Sequence, residues 1–116
     1  MTTTVPLNQS AAVILDGSGN GTARLGPVNA REAWTPERTA VHVDEVVVTL
    51  EARCRVYMGS EASPPNYVDG TLSGSTGDST DRVPPVQAGQ YVWAVWAGGD
   101  PGGQGYVNVT GTKTVG

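Results

Sequence analysis

The most restrictive feature of this sequence is a run of thirteen residues, 46–58, in which every second side chain is apolar. The positions between them include Thr49, Glu51, Arg53 and Arg55. Successive side chains of a β-strand point to opposite sides of a sheet, so a period of two predicts a strand with one dry and one wet face. No segment of ten residues carries a helical stripe. The sequence therefore predicts a fold built from strands.

The composition limits the class of protein further. The chain has 116 residues, which fits one domain, and it contains 16 Gly and 8 Pro. Three Trp, four Tyr and a net charge of only -4 argue against disorder, which combines low hydrophobicity with high net charge. The acidic balance argues against a nucleic-acid-binding surface. No apolar run approaches the roughly 20 residues of a membrane span.

Turn-forming residues divide the rest of the chain into short strands. Residues 1–10 are polar and contain a proline, and we expect an extended N-terminal arm followed by a single domain over residues 11–116. Residues 11–26 are predicted to form a hairpin, and the Ser/Gly/Asp-rich residues 73–82 a surface loop. The strand spacing predicts an all-β fold, namely an antiparallel two-sheet β-sandwich or jelly roll with long Gly-rich loops.

The residue types needed for catalysis are scarce. The one histidine, His42, lies in an alternating stretch, and the one cysteine, Cys54, falls on the apolar face of the predicted long strand. A buried thiol is usually inert, and one Cys with one His is too few for a zinc site. We therefore predict no enzyme activity, no catalytic residue and no cofactor.

Two loops contain candidates for calcium binding, Asp16 and Asn20 in the first and Asp78 and Asp81 in the second. Asp16, Ser18, Asn20 and Gly21 match the first half of a calcium loop, but Pro27 stands where a bidentate Glu should close it. Asp78 and Asp81 lie in a Gly/Ser-rich loop of the kind that can hold an ion in sandwich proteins. Because Asp in such loops more often bonds to its own backbone, we predict turns rather than metal sites at Asp16, Asn20, Asp78 and Asp81.

The aromatic residues are the candidates for binding a partner. Trp93 and Trp96 are three positions apart, so on one strand they face opposite sides and only one of them can point into a simple sandwich core. An exposed tryptophan could stack on sugar rings or anchor a protein interface; alternatively, both are internal, one of them covered by the arm. The candidate interface or glycan-binding residues are Trp34, Trp93, Trp96 and Tyr67.

Several segments resemble small accessory structural proteins of tailed phages of actinobacteria, and the likeness covers most of the chain from Ala23 onward. They include Arg24-Leu25-Gly26-Pro27, Cys54-Arg55-Val56-Tyr57-Met58-Gly59, Val68-Asp69-Gly70-Thr71, Gly89-Gln90-Tyr91-Val92-Trp93-Ala94-Val95-Trp96 and Gly98-Gly99-Asp100-Pro101-Gly102. The resemblance implies a β-sandwich component of the virion without catalytic residues.

The polar N-terminal arm and the thin core expected of this composition favour a protein that binds its neighbours in an assembly. We expect an accessory or decoration protein on the capsid exterior that contacts the major capsid protein or other virion proteins. A homo-oligomer is expected, with a trimer favoured, and neither nucleic acid nor membrane as a partner. The alternative is a tail-associated module that contacts glycan on the host surface.

Overall fold

The computed structural model describes residues 2–27, 29–44 and 49–116, and these form two four-stranded antiparallel sheets packed face to face. Sheet A has the order β1-β8-β3-β6, and sheet B has the order β2-β7-β4-β5. The strands are β1 (Thr3–Ile14), β2 (Gly21–Leu25), β3 (Glu32–Asp44), β4 (Arg53–Gly59), β5 (Tyr67–Ser73), β6 (Asp78–Thr80), β7 (Tyr91–Ala97) and β8 (Gln104–Val115). The predicted all-β two-sheet sandwich is confirmed.

The core lies between the sheets and is built from alternate residues of each strand. Val107 and Val109 of β8 are fully buried, as are Val92 and Trp96 of β7. The Trp96 ring lies flat against Gly105, where a Cβ would come within 3.1 Å of the ring. Glycine at this position therefore provides the space for the largest side chain of the core.

Sheet A is longer than sheet B. β1, β3 and β8 have 12, 13 and 12 residues, whereas no strand of sheet B has more than 7. Trp34 lies towards one end of sheet A. Its backbone exchanges two 2.8 Å hydrogen bonds with Val86, which forms an isolated antiparallel bridge with it. Lys113 and the buried Glu32 form a 3.0 Å ion pair at the same end.

The N-terminal residues belong to this long sheet. Residues 3–10 make up most of β1, and their pairing with β8 begins at Thr3 with Val115 and continues to Ile14 with Gln104. The boundary expected at residue 10 therefore falls inside an uninterrupted strand. Side chains of β1 alternate between the two faces of sheet A, so Leu7 lies in the core whereas Asn8 and Ser10 are exposed.

Three local predictions need correction. Residues 11–26 do not form a hairpin, because β1 pairs with β8 in sheet A while β2 pairs with β7 in sheet B. The segment 73–82 is not only a loop, since β6 within it pairs with β3. The strand expected over residues 46–58 begins at Arg53; residues 46–48 lie outside the described residues, and at 49–50 the chain bends, with the backbone N–H groups of Thr49 and Leu50 bonded to the Asp100 carboxylate.

Candidate functional site

The residues with the greatest chemical reactivity do not form a catalytic pair. Cys54 is fully buried on the inner face of sheet B, and burial raises the pKa of its thiol to about 12. His42 is exposed on the outer face of sheet A, where it stacks on Tyr106 with the ring centroids 5.1 Å apart. Sheet A therefore separates the imidazole from the thiol.

The first calcium candidate, the loop with Asp16 and Asn20, is a turn in which the Asp16 side chain bonds to the backbone of the same loop. The Asp16 carboxylate accepts hydrogen bonds from the backbone N–H groups of Ser18 and Asn20, at 2.9 and 3.0 Å. These bonds, the one from Asn20 first, lower the pKa of Asp16. The side-chain oxygen of Asn20 accepts the N–H of Gly98 at 3.1 Å. Both side chains thus stabilise the connection in which the chain crosses from β1 in sheet A to β2 in sheet B.

Asp78 has a similar role. Its carboxylate accepts hydrogen bonds from the N–H of Ser73 at 3.1 Å and from the N–H of Ser79 at 2.8 Å, and these bonds lower its pKa. Asp81 is exposed just beyond β6. Within the described residues, no group of three or more His, Cys, Asp and Glu side chains is placed to hold a metal ion.

The four aromatic candidates divide into two pairs. Trp96 is 0% exposed and Trp34 is 3% exposed, so both are core residues and neither can contact a partner. Trp93 and Tyr67 lie on the outer face of sheet B, and Tyr67 is 52% exposed. Of Trp93 and Trp96, one therefore points out of the sandwich and the other into it, as their spacing requires.

The strand register builds a lateral row around Trp93. Arg24 of β2 pairs with Trp93 of β7, Trp93 pairs with Tyr57 of β4, and Tyr57 pairs with Tyr67 of β5. Directly opposed residues share one face of a sheet and lie close enough for their side chains to interact. We call these four residues the aromatic row; it crosses all four strands of sheet B.

The rings and the guanidinium group of this surface contact one another. The Arg24 guanidinium lies 4.4 Å from the ring centroid of Tyr91 and 5.4 Å from that of Trp93. Tyr91 and Trp93 meet edge to face at 5.7 Å, and Tyr57 and Tyr67 do so at 5.9 Å. These are favourable cation–π and aromatic geometries, and each contact restricts the positions of its members.

Two backbone features hold the row in place. The indole N–H of Trp93 donates a 3.0 Å hydrogen bond to the carbonyl of Gly59. The Tyr67 ring lies over Gly70, where a Cβ would overlap it. Trp93 is thus anchored while Tyr67 keeps half of its surface in solvent.

Positive charge adjoins the aromatic row. Arg53 and Arg55 are exposed on the same outer face, beside Val95 and Ala97 of β7. They border a groove of about 340 Å³ that also includes Tyr57. Among the residues that the structure describes, the only ion pair is Lys113–Glu32, so these two arginines and Arg24 have no acidic partner.

Only part of this surface was predictable from the sequence. The predicted interface residues include Trp93 and Tyr67 but not Arg24, Tyr57 or Tyr91. The alternation along β4 indicated that Arg53, Arg55 and Tyr57 share a wet face. The pairing that places Arg24 next to Trp93 joins segments about 70 residues apart in the chain, and no local pattern records it.

The chain matches no known protein-family model, and it is not significantly similar to any curated protein. The part of the chain described by the structure contains no helix of the length and apolarity that crossing a membrane requires.

Proposed function

We propose that this chain is a structural protein of a tailed-phage particle, most simply an accessory protein on the outside of the capsid. In this role it stabilises the shell by docking the outer face of sheet B on the major capsid protein or another virion protein. The observation that carries the proposal is the aromatic row with its unpaired arginines. The segments that resemble accessory virion proteins support the same role.

The chemistry of the outer face of sheet B suits contact with a protein. Trp, Tyr and Arg are enriched among the interface residues whose truncation weakens binding most. The rings of Trp93 and Tyr57 are already ordered, so docking costs little side-chain entropy. Arg24, Arg53 and Arg55 require acidic groups on the partner, because burying them unpaired would cost several kcal/mol.

The second candidate function is a tail-associated module that binds host-surface glycan. Tyr67 favours it, because a half-exposed ring at the end of an aromatic row can stack on the apolar face of a sugar. The anchored Trp93 offers a smaller free surface, since its N–H is already bonded to Gly59.

The experiment begins with particles of the phage or prophage whose genome encodes this chain. Quantitative mass spectrometry should find the chain in purified particles, at a copy number comparable to that of the major capsid protein. A copy number typical of a tail tip would favour the glycan candidate, and absence from purified particles would refute both.

Variants then test the surface. Arg24→Ala should lower incorporation into particles, whereas Arg38→Ala, which removes an exposed arginine from the outer face of sheet A, should leave it unchanged. Equal incorporation of the two variants would exclude the outer face of sheet B as the docking surface. A glycan array tests the second candidate without any virion protein.

A further inference from the structure

Strand β1 presents a long unpaired edge. Within residues 2–27, 29–44 and 49–116, the strand paired with β1 is β8, and no strand pairs with its other edge. Natural proteins usually protect such an edge with charges, bulges or a covering element, because its free N–H and C=O groups can pair with another strand.

The hydrogen bonds at the end of β1 establish which backbone groups are free. Leu15 donates to Gly103 at 2.8 Å and accepts from Gly102 at 3.0 Å, both just before β8. The backbone N–H and C=O of alternate residues in a strand point to the same side. The odd-numbered residues of β1 therefore bond to β8, and the even-numbered residues direct their backbone groups to the free edge. Pro6, which has no N–H, is even-numbered, as this arrangement requires.

The side chains leave this edge uncovered. Asn108 of β8 donates to the side-chain oxygens of Asn8 and Ser10, both at 2.8 Å, and so holds these side chains over β8. At the C-terminal end of the strand, Ile14 is 59% exposed. Polar side chains that could compete for the free backbone groups are thus directed away from them.

No charge protects the edge either. Residues 2–15 contain no Asp, Glu, Lys, Arg or His. Two copies of this edge can therefore approach each other without like-charge repulsion, even though the chain as a whole carries a net charge of -4.

We propose that β1 pairs antiparallel with β1 of a second copy of this chain, about a two-fold axis next to Ala11. An edge that pairs with itself in this direction forms a closed, isologous dimer. This register joins Ser10 to the partner's Ala12 and Asn8 to the partner's Ile14, all with backbone groups that point outward. An axis at Ser10 would instead place Pro6 in the ladder, opposite the partner's Ile14.

The two copies of sheet A, each with four strands, become one continuous sheet of eight. The pairing is independent of the proposed phage function, since it requires only the free edge and the register of β1. The pairing forms a dimer, whereas the sequence favoured a trimer.

A cysteine at the axis tests the register. Ala11 faces its own copy in a non-hydrogen-bonded pair, where the Cα atoms lie roughly 4.5 Å apart and a disulfide can form. Under mild oxidation Ala11→Cys should give a covalent dimer. Cys54 is buried and should give none, so the wild-type chain is a control.

Gln9→Cys is the matched control, because residue 9 lies on the same face of the same strand. In this register the two copies of residue 9 are four positions apart along the strands, roughly 13 Å, and cannot be bridged. Cross-linking of Gln9→Cys as efficient as that of Ala11→Cys, or failure of Ala11→Cys to cross-link, overturns the proposed register.

A charge at the edge tests the dimer without cysteine chemistry. The wild-type chain should sediment as a concentration-dependent dimer, and Ala12→Lys should weaken dimerisation at least about tenfold, since two like charges meet across the axis. Thr35→Lys places the same charge on an exposed position of the interior strand β3 and should leave the dimer intact. A wild-type chain that is monomeric or trimeric at every concentration, or an Ala12→Lys variant that dimerises normally, overturns the proposal.

Discussion

The two outer faces of the sandwich each belong to a four-stranded antiparallel sheet, but their side chains differ. On sheet A most outward side chains are short and polar, and Asn108 bonds to neighbours on β1; the larger side chains are Arg38 and the stacked pair of His42 and Tyr106. On sheet B the aromatic row crosses four strands, and Arg53 and Arg55 adjoin it. A solvent-facing sheet surface is normally polar, as on sheet A. The contrast teaches that the fold alone does not require rings on the outer face of sheet B, so a contact with another molecule is the more economical explanation for them.

The largest expected effect is a difference in folding stability between substitutions on the two sides of strand β7. Trp96→Ala should lower the free energy of unfolding by about 3 to 5 kcal/mol, because it leaves a large cavity between the sheets. Trp93→Ala should cost about 1 to 2 kcal/mol, since it removes a half-buried ring and one hydrogen bond to Gly59. Urea denaturation of both variants measures the difference. Equal losses would mean that the outer ring is part of the core, and the contrast between the faces would fail.

The division between Trp93 and Trp96 was predictable from the sequence, because it follows from a spacing of three on a strand. The two-sheet sandwich was predictable for a similar reason: alternating and doubly apolar runs separated by turn residues have few other ways to bury their apolar faces. Local sequence patterns were therefore sufficient to predict both features, without knowledge of the pairing between distant segments.

The aromatic row was not predictable, because it depends on pairings between distant segments. The turn after β1 illustrates the difficulty. Residues 16–21 carry strong turn chemistry, but a turn does not indicate whether the next strand stays in the same sheet or crosses to the other. Here β2 crosses, and this crossing brings Arg24 next to Trp93. β6 was not predicted, because its three residues, Asp-Ser-Thr, show no alternation of apolar and polar side chains.

The second prediction compares one tyrosine from each face. Tyr67→Ala should weaken binding of the purified chain to particles made without it by about 2 kcal/mol, roughly 30-fold, while changing its stability little. Tyr106→Ala removes a half-buried ring from the outer face of sheet A and should change binding less than about threefold. Titration of both variants onto such particles measures the effect. If the tyrosine of sheet A proves the more important, the docking surface is on the other side of the molecule.

The third prediction concerns the inner face of sheet B, behind the exposed arginines. The pKa of Cys54 is raised by burial to about 12, above the value of an unfolded thiol. Between these two values the unfolded chain binds fewer protons than the folded chain, so stability falls as the pH rises. The wild-type chain should lose roughly 1 to 2 kcal/mol by pH 10 relative to Cys54→Ala. Urea denaturation at pH 8 and pH 10 tests this, and parallel behaviour of the two proteins would show that the inner face is wetter than the structure indicates.

The smallest effect is expected at two of the places where the chain crosses between the sheets. Backbone hydrogen bonds lower the pKa of Asp16, which precedes β2, and of Asp78, which is the first residue of β6. A lowered pKa contributes stability that is present above the unfolded value and is lost as the pH falls through the folded value. Asp16→Asn and Asp78→Asn retain an accepting oxygen but cannot titrate, so their denaturation midpoints should fall less than that of the wild type between pH 5 and pH 3. Both groups are exposed, which keeps the effect small and confines it to the connections. The two outer faces should therefore keep their different binding properties at low pH for as long as the chain stays folded, and selective loss of binding by one face of the folded chain would show that the connections and the faces are coupled.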